Sequence, residues 1–180
     1  LHTAYRRQRQ MCIRDRVRLA VIEGNQLTWV AKSQGARSGL RYDPDAGLDV
    51  YLPATANGLA WLAAVTDERA LELLSQHGMD QAKRMGPGAP QTLREVLERI
   101  DQTRQRGHAT VFDAYEQGTS AMAAVVCAST HGAPIATVSI AGPSVRMTPE
   151  RMEALAPDLL ACAKALGATS GQSPLFASVN

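Results

Sequence analysis

Residues 107–143 read GHATVFDAYEQGTSAMAAVVCASTHGAPIATVSIAGP. Two apolar runs lie inside this stretch, SAMAAVVCAS (Ser120 to Ser129) and PIATVSIAGP (Pro134 to Pro143). Thr130-His131-Gly132-Ala133 joins them, a link short enough for a β-hairpin. Neither run alternates apolar with polar residues, so both are expected as central strands covered on both faces, with helices or a ligand cavity on at least one side. Their side chains are mostly small. A strand face of that kind leaves room for a closely packed helix or for a small ligand, and close helix packing is the plainer of the two readings.

Downstream of this hairpin, Thr148 and Pro149 suit the N-cap and first position of a long helix, with Met152, Leu155, Leu159, Cys162, Ala163 and Leu166 on its buried side. Pro157 is expected to kink or divide it, and residues 167–180 read as a loose tail. Upstream, Thr92 and Glu95 form a capping box for a helix that Gly107 ends; Arg104 and Arg106 are ordinary charge placement at its C-terminus. Thr66, followed by Asp67 and Glu68, opens an earlier helix that stops at Gly78.

Thr55 caps the first core helix, whose apolar stripe is Leu59, Ala60, Leu62, Ala63 and Val65. Trp61 is expected in the core or between copies of the chain. Val17 to Glu23 and Gln26 to Lys32 flank Gly24-Asn25 and form a second hairpin, with Leu40 to Tyr42 a short further strand before the Asp43-Pro44-Asp45 turn. Strands, then helices, then strands, then a helix describe an α+β fold, an antiparallel sheet flanked by helices.

The formal charge of +2 hides an asymmetry. Residues 1–18 carry six arginines against Asp15, whereas residues 19–180 carry 13 basic and 16 acidic groups. A mildly acidic body does not attract phosphate backbones, so no general nucleic-acid binding is expected of it. Residues 1–16 read as a basic leader, either an arm that touches nucleic acid or a membrane surface or, more plainly, a stretch disordered or foreign to the natural protein. Cys12, Cys127 and Cys162 have no metal spacing and form no even framework, which points to reduced thiols and a cytoplasmic setting. No apolar run approaches the ~20 residues of a membrane span.

Catalytic signals are weak. His2, His77, His108 and His131 fall at a leader, a helix end, a strand start and a hairpin link, and none has the neighbours of a nucleophile or a zinc site. Gly86-Pro87-Gly88 lacks the spacing and the lysine of a phosphate loop. No metal, cofactor or enzymatic activity is expected. A binding signal is stronger at Ala54 to Gly58, where the start of a helix offers unpaired backbone N–H groups and a positive dipole end to an anion without any lysine or arginine. Thr55 either adds a hydroxyl there or simply caps its own helix.

Several ordered pieces carry a family resemblance. They are Val17-Arg18-Leu19-Ala20-Val21-Ile22-Glu23-Gly24, Leu52-Pro53-Ala54-Thr55-Ala56-Asn57-Gly58, Glu116-Gln117-Gly118, Ala121 to Val126, Val138-Ser139-Ile140-Ala141-Gly142-Pro143 and Met147-Thr148-Pro149-Glu150-Arg151. Together they resemble the effector-binding domain of IclR-type transcriptional regulators over residues 17–168, between the leader and a tail at 169–180. The resemblance implies a GAF-like or PAS-like sheet, a non-enzymatic sensor of a small carboxylate effector, and self-association to a dimer or tetramer. It also implies DNA binding only through an upstream helix-turn-helix domain, for which 16 residues leave no room. The other expectations are a GAF-like metabolite-binding module or enzyme with no regulatory partner, and a module that only oligomerises.

By the same resemblance the effector contacts Thr55, Ala56, Asn57, Val111, Ala121, Met122, Ser139 and Ala141. The sequence departs from the family pattern where many members have an acid (here Val111), a cysteine (Ala121) and a second serine (Ala141), and around the helix turn itself at Pro53, Asn57 and Leu59. The implied pocket is less polar than one for a very small acid, and suits an aromatic or longer aliphatic carboxylate.

Overall fold

The computed structural model describes residues 16–34, 48–129 and 132–170. The expected strand at 40–42, the turn after it, the centre of the 130–133 link, His2, Cys12 and the segments 1–15 and 171–180 lie outside the described residues. The strands are β1 (Arg16–Glu23), β2 (Gln26–Gln34), β3 (Ala109–Phe112), β4 (Thr119–Cys127) and β5 (Pro134–Pro143). The α-helices are α1 (Ala56–Ala63), α2 (Asp67–His77), α3 (Leu93–Arg106) and α4 (Pro149–Ala168). Short 3-10 turns cover Leu52–Ala54 and Asp80–Arg84.

The strands form one antiparallel sheet in the order β2-β1-β5-β4-β3. Both expected hairpins are present, and β5 joins them by pairing with β1 from Arg16↔Ala141 to Val21↔Ala136. The result is the α+β layout that the element order implies. β1 starts at Arg16, so that residue belongs to the sheet and not to the leader.

Each α-helix begins on a threonine whose side-chain oxygen accepts a backbone N–H three residues on: Thr55 from Gly58, Thr66 from Arg69, Thr92 from Glu95 and Thr148 from Arg151. This local bond satisfies one of the orphan donors of the first turn, which is why the caps are legible in sequence. Helix α3 stops at Gly107, whose φ of 77° is a left-handed conformation that costs glycine little. Helix α4 runs through Pro157 without a break, with the proline on its exposed side. It also takes in Gly167, expected in the tail: a Cβ there would lie 2.2 Å from the carbonyl oxygen of Cys127, so only glycine lets the helix approach β4 this closely.

The sheet is covered on both faces. Met122, Ala124, Val126, Val138 and Ile140 meet Met152, Leu155 and Leu159 of α4 on one side. On the other side Ala20, Leu27, Trp29, Ala109, Val111 and Ala123 pack with Leu59, Leu62, Val96 and Ile100 of α1 and α3. Trp61 and Leu62 are 3% and 0% exposed inside this second cluster. That settles Trp61 as core, and neither residue is available as surface shared between copies. Helix α1 is buried from Ala56 to Leu62 on every side, the behaviour of a helix sunk into a core, so its stripe is not amphipathic.

Candidate functional site

Beyond the first turn of α1, the second face of the sheet is not filled. A cavity of about 580 Å³ lies there, large enough for a small organic molecule. Seven of the eight residues expected at a ligand site line it: Thr55, Ala56, Asn57, Val111, Ala121, Ser139 and Ala141. Register explains their convergence. Val111 pairs with Ala121, and Ala121 with Ala141, so three strands present small or branched apolar side chains in one row.

Met122 does not join them. Neighbouring residues on a strand point to opposite faces, so Ala121 and Met122 cannot share a wall; Met122 is fully buried among the residues under α4. Its expected contact with a ligand is corrected on that ground.

The α1 turn itself is held in detail. Thr55 Oγ1 donates to Tyr51 O at 2.9 Å and accepts Gly58 N–H at 3.0 Å, so its proton is committed and the hydroxyl acts as a cap. Thr55 O accepts Leu59 N–H at 3.0 Å. The N–H groups of Ala56 and Asn57 have no acceptor among the described residues, as expected of the first two positions of a helix. Asn57 Nδ2 donates to Thr137 Oγ1 of β5 at 2.9 Å, which anchors the turn on the central sheet. Gly58 permits the approach from below: a Cβ there would lie 2.3 Å from the Cα and the carbonyl oxygen of Leu52.

The wall also contains residues that sequence reasoning missed. Arg16, Arg18 and Trp29 come from β1 and β2, Tyr115 and Glu116 from the β3–β4 turn, and Arg146 from the turn before α4. The cavity is therefore more charged than the substitutions at Val111, Ala121 and Ala141 imply. One signal was available: in VRLAVIE the charged Arg18 sits between the apolar neighbours Val17 and Leu19 on a mostly buried strand.

Arg18 is 7% exposed, and its guanidinium carbon lies 4.6 Å from the Trp29 ring centroid, a cation–π contact. Tyr115 meets the same indole edge to face, with 6.0 Å between centroids. The Trp29 indole N–H is buried without an acceptor among the described residues.

The turn before Tyr115 and Glu116 contains Asp113, whose φ of 50° is the one positive value outside glycine among the described residues. Asp113 Oδ1 accepts Gly118 N–H at 2.7 Å and the Ser144 hydroxyl at 2.8 Å. Ser144 Oγ also lies 2.8 Å from Ser120 Oγ. This clasp joins the turn carrying Tyr115 and Glu116 to the turn carrying Arg146. The described histidines are elsewhere: His77 is near Asn25 O at the end of α2, and His108 is buried with Nδ1 3.3 Å from Arg106 O. No grouping of three or more metal-ligating side chains occurs among the described residues.

The model of the bacterial transcriptional regulator IclR C-terminal domain matches residues 8–168. The chain belongs to the IclR family. Among curated relatives, this IclR-family domain is 29% identical over 113 residues to the transcriptional repressor IclR of Escherichia coli K12, covering 63% of this chain and 40% of that protein. It is 24% identical over 137 residues to the E. coli K12 HTH-type transcriptional repressor AllR, covering 76% of this chain and 49% of that protein. The chain thus spans less than half the length of these two relatives.

Two solved structures share its fold. The Thermotoga maritima IclR superposes with a TM-score of 0.77 at 23% identity, over 93% of this chain and 68% of that one. A double mutant of the Acinetobacter PobR inducer-binding domain, in complex with 3-hydroxybenzoic acid, superposes with a TM-score of 0.75 at 21% identity, over 93% and 97%. No α-helix among the described residues is long and apolar enough to cross a membrane.

Proposed function

We propose that this IclR-type domain senses a small organic acid, whose body is aromatic or a longer aliphatic chain, for a transcriptional regulator. The observation that carries the reading is the cavity beside α1, which Ala56 and Asn57 of the first helical turn line together with Val111, Ala121, Ser139 and Ala141. A helix start is a site for an anion, and small apolar walls are a site for its body. The 3-hydroxybenzoic acid in the PobR complex supports the same ligand class.

In this reading the domain is not an enzyme and works in the cytoplasm. Its DNA contacts are made by a helix-turn-helix domain elsewhere in the parent protein, consistent with the repressors that it resembles. The effector acts by binding one arrangement of that protein better than another. The domain self-associates as a dimer or tetramer, through a surface other than the buried Trp61 and Leu62.

Calorimetric titration with benzoate, 3-hydroxybenzoate, hexanoate and glyoxylate tests the ligand class. Saturable binding of the larger acids with weaker binding of glyoxylate is expected. Absence of heat and of any melting shift across the panel overturns the reading.

A further inference from the structure

A helix start carries only about half an elementary charge, and a full carboxylate taken out of water into a cavity needs more than that. The opposite wall supplies it. Arg18 is the third residue of β1, is 7% exposed, and lines the same cavity as the α1 turn. It brings a guanidinium, a cation with five N–H donors, to the cavity wall. The same guanidinium makes the cation–π contact with Trp29, and its fork of five N–H donors suits a carboxylate.

Trp29 adds a second feature. It is 5% exposed, it lines the cavity, and its indole N–H has no acceptor among the described residues. Buried donors are nearly always satisfied, and an unsatisfied one in a residue that lines a cavity can gain its acceptor with a ligand.

Register brings these groups to one place. Arg18 lies opposite Ser139 of β5, while Asn57 is bonded to Thr137, two residues along the same face. That separation is about 7 Å, within the reach of an arginine side chain. Guanidinium, indole N–H and the α1 amides are all donors, and the residues that carry them line one cavity.

Building on the proposed effector site, we infer that Arg18 is the cationic anchor of the effector's carboxylate, with the Trp29 indole N–H as a further donor. The anion is clamped between β1–β2 and the first turn of α1. The site therefore selects an organic carboxylate over the neutral amide of the same body.

The test uses the whole chain, with benzoate, 3-hydroxybenzoate and hexanoate as probes beside benzamide, 3-hydroxybenzamide and hexanamide. Affinities come from calorimetry, and melts are recorded without ligand. Wild type is expected to bind acids and not amides. Arg18→Met should lose about 10- to 100-fold for the best acid, the range of a hydrogen bond to a charged group. Arg18→Lys, which keeps the charge and loses the fork, should lose less. Trp29→Phe keeps an aromatic face and should lose about 3- to 10-fold, the range of a neutral hydrogen bond.

Equal affinity of Arg18→Met and wild type for an acid overturns the inference and leaves the effector site standing. Wild type binding amides as well as acids also overturns it. Failure of every probe on wild type removes the effector reading itself, and the anchor with it. If Arg18→Met does not fold, Arg18→Lys and Trp29→Phe decide: unchanged acid affinity in both rejects the anchor, and graded losses at an unchanged melt support it.

Discussion

Asn57 and Thr137 are 80 residues apart in sequence, and a buried side-chain hydrogen bond of 2.9 Å joins them. The bond connects the first turn of α1 to the middle of the sheet, beside the cavity that both elements border. Removing the donor by Asn57→Ala leaves the Thr137 hydroxyl buried with a lost partner, at a cost of about 1–3 kcal/mol. The double variant Asn57→Ala with Thr137→Val should recover part of that loss. Urea unfolding of the four proteins in the cycle measures it, and simple additivity would mean that the bond contributes nothing.

Ala141 and Met122 separate cavity from core. Ala141→Leu places three more carbons in the space between Ala121 and Arg16 and should abolish binding of an acid effector with little change in melting. Met122→Ala opens a hole under α4 and should cost about 2–5 kcal/mol while the affinity of the folded protein stays the same. Calorimetry beside thermal melts reads both. Unchanged binding and an unchanged melt in Ala141→Leu would show that Ala141 borders neither pocket nor core.

Asp113 has two duties that different substitutions divide. Asn tolerates the left-handed conformation and keeps an acceptor, Gly keeps the conformation alone, and Ala keeps neither. Stability should fall in the order Asn, Gly, Ala, with Ala about 1–3 kcal/mol below wild type. Because the Asp113 turn carries Tyr115 and Glu116 to the cavity wall, effector affinity should fall in the same order. Denaturant midpoints and titrations of the three variants check this, and a most stable Ala variant would contradict it.

Gly58→Ala tests close backbone approach against helix propensity. Propensity alone favours alanine inside α1 by about 1 kcal/mol. A Cβ 2.3 Å from the Leu52 backbone cannot be accommodated without moving one segment, so the net effect should be a loss of about 1–3 kcal/mol. A melt equal to or above that of wild type would mean that the Leu52–Ala54 turn yields easily.

The elements readable from the chain alone are those set by neighbours in sequence. Thr55, Thr66, Thr92 and Thr148 cap helices through bonds that span three residues, Gly107 stops α3 through its own φ, and the short Gly24-Asn25 link closes β1 on β2. The unbroken apolar runs of β4 and β5 likewise announced a sheet covered on both faces. Each of these depends on local geometry or on composition, so no long-range contact was needed to see it.

The pairing of β1 with β5 joins residues more than a hundred positions apart, and no local pattern specifies it; it brings Arg18 opposite Ser139 and so to the cavity. The Trp29 contact depends on one further residue. The register slips between Leu19 and Ala20, with Val30 as the extra residue of a bulge, and this puts Trp29 opposite Ala20 where an unbroken ladder would have put Val30. Pleat parity separated Ala121 from Met122 in the same way. Sequence alone thus determined the elements and the family of this protein, because caps, turns and hydrophobic runs act over a few residues. Which side chains meet around the cavity was decided by strand order and register, which exist only once distant segments have paired.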